Sequence, residues 1–119
     1  MKLAAGVFDY EDAVRRVGGV ELLKAHAWEF LELHQDHMTQ MREALRQRDP
    51  AALAQAARTL HTALRGLSGA RCRAQALAVE RCARYEDFDE AASALGRLEA
   101  GLADLVVALD TVVSPKLMN

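Results

Sequence analysis

Residues Asp49 to Ala70 read DPAALAQAARTLHTALRGLSGA, and this stretch decides the fold. Asp49-Pro50 is a helix start. An aspartate side chain accepts from the first free backbone N–H groups, and the fixed φ of proline suits the first helical position. Leu53, Ala57, Leu60, Leu64 and Leu67 then recur at spacings of three and four, one buried face of a helix. Ser68-Gly69 breaks or re-angles the chain.

Reading outward, the same periodicity continues. Residues 70–84 carry a weaker stripe of Cys72, Ala76, Val79 and Ala83, small enough for a neighbouring helix to approach closely. Asp87 followed by Glu90 resembles a capping box. Leu95, Leu98, Leu102, Leu105, Leu109 and Val112 follow it, until Ser114-Pro115 ends the helix. Upstream, no glycine or proline interrupts Val20 to Arg48, where Leu23, Ala27, Leu31, His34, Met38, Met41 and Leu45 form one stripe. Trp28 and Phe30 read as packing residues, Trp28 near the surface. Asp9 caps a short first helix, Tyr10 to Val17, stopped by Gly18-Gly19. The expected architecture is all-α: an antiparallel four-helix bundle with a short extra N-terminal helix.

Composition agrees. The 119 residues suit one domain and one core, about residues 8–113 with a tail over 114–119. Hydrophobic residues make up 51% and aromatics only 5%, with alanine and leucine dominant, which favours packed helices over strands. No repeat or low-complexity segment interrupts the chain. A net charge of −2 excludes a generally basic, nucleic-acid-coating surface. Charge is uneven, however: Arg58, Arg65, Arg71, Arg73, Arg81 and Arg84 share their stretch with a single acid, Glu80. Such a face attracts an acidic partner, or is simply solvated. Cys72 and Cys82 lie about 15 Å apart along one helix, too far for a disulfide, and read as small buried residues in a reducing compartment. No secretory signal pattern is present and no apolar run approaches the about 20 residues that span a membrane, so a cytoplasmic location is expected.

Arg58, His61 and Arg65 each follow a core position by one residue, about 100° of rotation, which places them along the edge of the buried face. Thr62 neighbours them. An imidazole between two guanidiniums suits an anionic group, since histidine is a nucleophile near neutral pH and arginine offers paired donors to phosphate. Three solvated boundary residues are the plain alternative. His34 and His37 are close enough on a helix to share a metal, but two ligands do not make a site; His34 reads as a hydrogen-bonded boundary residue. His26 has no motif around it. No Gly-rich phosphate loop, no Ser/His/Asp arrangement and no paired carboxylates occur, so no cofactor, no metal and no enzyme turnover are expected.

The run Ala57-Arg58-Thr59-Leu60-His61-Thr62-Ala63-Leu64 resembles the signature A-H-T-L-K-G-S-A of histidine-containing phosphotransfer (HPt) domains. Phe8-Asp9, Ala13, Arg16, Gly18, Leu22-Leu23, Phe30-Leu31-Glu32, Arg42 to Leu45 and Asp49 to Leu60 extend the likeness over most of the chain. The resemblance implies the same helical bundle. It also implies a surface histidine that takes phosphate from one receiver-domain aspartate and passes it to another. A lysine one turn on would hold the phosphoryl group, and a glycine would leave room for the receiver. In this chain the acceptor position is Arg58, the lysine position His61 and the glycine position Thr62. Arginine is always protonated and forms no labile phosphoramidate, and Thr62 adds bulk where a receiver would approach. A register one turn on places Thr62 at the acceptor position with Arg65-Gly66 over the lysine-glycine pair; it needs an insertion and still offers no histidine.

The expectation is a degenerate HPt-like module that binds a receiver domain of a response regulator, or a sensor histidine kinase, without carrying phosphate. Arg58, His61, Thr62 and Arg65, continuing to Arg71, would form the contact, framed by the acidic first helix and Val14. Two alternatives stand beside it. His61 is an acceptor displaced by one turn, about 5 Å, or the chain is a non-signalling bundle that dimerises or binds metal. A monomer is expected over an oligomer.

Overall fold

The computed structural model describes residues 6–114. Five helices succeed one another: α1 (Tyr10–Val17), α2 (Val20–Arg46), α3 (Pro50–Leu64), α4 (Ala70–Arg84) and α5 (Phe88–Val113). A 3-10 turn, Arg65–Leu67, follows α3, and the described residues contain no strand. Ser114 caps α5 as expected, whereas Pro115 and the tail to Asn119 lie outside the described residues. No described helix is long and apolar enough to cross a membrane.

Aspartates start three of the five helices. Asp9, Asp49 and Asp87 each accept from a backbone N–H three residues on, at 3.0, 3.0 and 3.1 Å. Glu90 does not return the bond that would complete a capping box at Asp87; it pairs with Arg97 instead. Gly18, at φ 96, closes α1 in the left-handed region where glycine has no steric penalty. The ends of α2 and α4 are built alike without glycine. Arg48 (φ 53) and Glu86 (φ 56) take the left-handed position, and the next N–H, on Asp49 or Asp87, bonds back to Ala44 or Cys82. Each turn therefore stops one helix and caps the next within two residues.

The helices pack in adjacent pairs: α2 against α3 and α5, and α4 against α3 and α5, while α1 and the 3-10 turn cover one end. The molecule measures 47 × 23 × 23 Å, its length set by α2 and α5. The expected stripes of α3, α4 and α5 are buried, from Leu53 through Leu67, from Cys72 through Ala83, and from Leu95 through Leu109; Val112 is half-buried. On α2 the stripe sits differently. Phe30 and Ala44 are buried, whereas Leu31, His34 and Leu45 are half-buried. With a neighbour on each flank, α2 buries an arc wider than one stripe. Trp28 is 57% exposed.

Small residues bring α4 and α5 together. A methyl group on Gly101 would lie 2.2 Å from Gln75 Oε1 and 3.4 Å from Cys72 Sγ. Cys72 is buried and Cys82 half-buried, both unpaired, and burial pushes the Cys72 thiol up to about 11. At that value the thiol stays protonated and behaves as an apolar side chain.

Candidate functional site

The turn between α3 and α4 fixes where the arginines point. Ser68 adopts φ 54, and its hydroxyl donates to Asp12 at 2.6 Å, tying this corner to α1. Asp12 also accepts from Arg16 at 2.6 Å and Arg15 at 2.9 Å. The Ser68 hydroxyl first, then Arg16 and Arg15, hold its carboxyl down at about 2 against desolvation, which opposes them. The corner reverses the chain, so α3 and α4 run antiparallel with their flanks in contact.

At the centre of that contact Arg58 meets Glu80. Its Nε and terminal nitrogen lie 3.2 and 3.1 Å from one carboxylate oxygen. Arg84 approaches the same oxygen at 3.2 and 2.7 Å. Glu80 is only 8% exposed, while the two arginine side chains are 51% and 57% exposed. Burial pushes the Glu80 carboxyl up, but the hydrogen bonds and charges of Arg84 and Arg58 outweigh it and keep it below its ordinary value.

On the α3 side, His61 and Arg65 follow Arg58 at spacings of three and four residues and so share its flank. His61 is half-buried and Leu77 40% exposed. Arg58 and Arg84, with the Glu80 carboxylate between them, form the α3–α4 seam. Arg81 and Tyr85 stand beside its Arg84 end, around a shallow hollow shared with Leu77 and Glu80.

Of the residues anticipated from the sequence, Arg58, His61 and Arg65 share this flank of α3. Thr62 points outward and toward the opposite flank. It borders a groove of about 260 Å³ between α2 and α3, with His26, Phe30, Leu33, His37 and Gly66. Arg71 is not brought to the seam. It turns toward α5, where it pairs with Asp104 at 3.4 Å. Glu80 and Arg84, named in the sequence reading only as part of an arginine-rich stretch with one acid, complete the seam. One signal for Glu80 was available: a lone acid among arginines, beside core Val79 and four residues before Arg84.

The other histidines are held locally. His34 Nδ1 lies 3.0 Å from the Leu31 carbonyl, and its ring stacks on Phe30 at 5.7 Å between centroids. Burial lowers the His37 imidazole below its ordinary value; Asp36 opposes this and His34 adds to it. Among the described residues no group of three or more His, Cys, Asp or Glu side chains could hold a metal ion. Compared with known protein families, curated proteins and solved structures, the chain finds no match, and the seam is interpreted from its own geometry.

Proposed function

We propose that this chain is a degenerate HPt-like module, an antiparallel four-helix bundle with a short N-terminal helix, that binds a receiver domain or a sensor histidine kinase without carrying phosphate. One observation carries the proposal. Arg58 stands where the resemblance expects the phosphate-accepting histidine, and its guanidinium is tied to Glu80. An arginine there accepts no phosphoryl group, and its ion pair gives it a structural task. What remains is a basic flank suited to the acidic pocket of a receiver, recognised by charge complementarity rather than by phosphoryl transfer. The module then acts in the cytoplasm, as a monomer, by occupying its partner.

His61 supports a second reading, because it is half-exposed and is the histidine of α3, one turn from Arg58. As a displaced acceptor it would shift the docked receiver by about 5 Å along α3. One experiment separates the two. The protein is incubated with a panel of phosphorylated receivers, its intact mass is read at neutral pH and after mild acid, and receiver binding is measured in parallel. Binding without a mass gain supports the phosphate-free module. An acid-labile gain of one phosphoryl group, absent in His61→Gln, establishes the carrier instead. Neither binding nor phosphate removes both readings and favours a bundle outside signalling.

A further inference from the structure

The last two turns of α4 present a hollow that is both apolar and cationic. Leu77, Glu80, Arg81, Arg84 and Tyr85 line it, around about 450 Å³ of open space. Tyr85 is 79% exposed, the most of the large apolar side chains among the described residues, and Leu77 also faces water. The one carboxylate of the hollow, Glu80, is nearly buried and already engaged by Arg84 and by Arg58 from α3. Arg81 has no ion-pair partner among the described residues. The hollow therefore turns two guanidiniums outward with no free acid among its walls; Glu86 stands in the turn beyond the helix. Tyrosine and arginine around a recess are the side chains that contribute most when an interface forms.

We infer that this hollow docks an acidic amphipathic helix of a partner protein, one that carries an apolar side chain between carboxylates. Length argues for a helix. Leu77 to Tyr85 spans about 12 Å, two turns, so one anchor fits between the apolar walls while carboxylates a turn to either side reach Arg81 and Arg84. Charge argues for acid, since a basic segment would meet two guanidiniums with no free carboxylate to receive it. A bare inorganic anion would leave Leu77 and Tyr85 in water, whereas a helix with an apolar anchor covers both. The Glu80 contact also holds Arg84 in place before the partner arrives, so less side-chain freedom is lost on docking. The surface lies on α4, apart from the Arg58, His61 and Arg65 edge of α3, and stands whether or not that edge receives a receiver domain.

The test selects a phage-displayed library of helical peptides, each about 15 residues long, against the full chain, and follows the best-enriched peptide by fluorescence anisotropy. The expected winners are acidic helices with one aromatic or aliphatic anchor, bound with a dissociation constant of about 10 μM that rises with salt. Arg81→Glu and Tyr85→Ala should each weaken that peptide about tenfold. Lys24→Glu, the same charge change on α2, and Arg65→Glu, on the α3 edge, should leave it unchanged. The Arg81 and Tyr85 side chains are exposed and make no hydrogen bond or ion pair among the described residues, so both variants keep the fold, which circular dichroism checks. No enrichment, winners that are basic or uncharged, or acidic peptides that bind Arg81→Glu and Tyr85→Ala as well as the parent would overturn the site. Self-association in sedimentation that Tyr85→Ala abolishes would assign the hollow to a second copy of this chain and overturn it equally.

Discussion

A single oxygen of Glu80 receives both Arg58 and Arg84, so removing its charge strands two guanidiniums at once. Both arginines are about half exposed, and water screens much of what the pairing would contribute in a dry interior. Glu80→Gln, which keeps the shape, should therefore cost about 1 kcal/mol. Urea denaturation reads this directly, and a loss indistinguishable from zero would mean that the triad orders the seam without stabilising it. The acid range tests the same logic at two carboxylates. Glu80 and Asp12 are both held below their ordinary values, so their contribution is full above about pH 5 and disappears as pH falls through the folded values. For Asp12 that value is about 2. Asp12→Asn should lower the melting temperature at neutral pH and converge with the parent as pH approaches 2. Parallel curves over that range would show that the Ser68 and Arg16 contacts do not hold in solution.

Helix by helix, the boundaries were legible because they depend on local chemistry. Aspartate caps, Pro50 and Gly18 act on residues within one turn of themselves, and all lie where the sequence pointed. The centre of the α2 stripe was not legible, since one periodic pattern says nothing about a helix that has α3 on one flank and α5 on the other. Backbone preference also marks where the elements are less stable than they could be. Glu86 holds a left-handed φ of 56, and its exposed side chain makes no hydrogen bond among the described residues; glycine there keeps the backbone bond to Ala83 and should add about 0.5–1 kcal/mol. Gly96 is the converse. It is exposed within α5, and a Cβ there meets nothing within 4 Å, so Gly96→Ala should add about 1 kcal/mol. Gly101→Ala should lose that gain against Gln75, and thermal melts of the three variants would show it. If Gly101→Ala matched Gly96→Ala, α4 and α5 would have room between them.

Over the whole molecule, the site was harder to read than the fold because it depends on how two helices are turned toward each other. Arg58 and Glu80 are 22 residues apart, and no spacing rule within a helix connects them. Arg71 illustrates the same limit: it pairs with Asp104 on α5, which its sequence neighbourhood does not predict. The Arg58–Glu80 pair also decides which charge reversal tests the basic flank cleanly. Arg58→Glu would set a carboxylate against the nearly buried Glu80 and disturb the fold, confusing lost binding with lost structure. Arg65→Glu removes the same charge from the flank without touching an ion pair. If the seam steers an acidic receiver, this substitution should slow association about tenfold at low salt, leave dissociation nearly unchanged, and approach the parent as ionic strength rises. Stopped-flow binding across a salt series provides the comparison. Equal rates at every ionic strength would place the partner on another face, leaving the α2–α3 groove beside Thr62 as the next surface to probe.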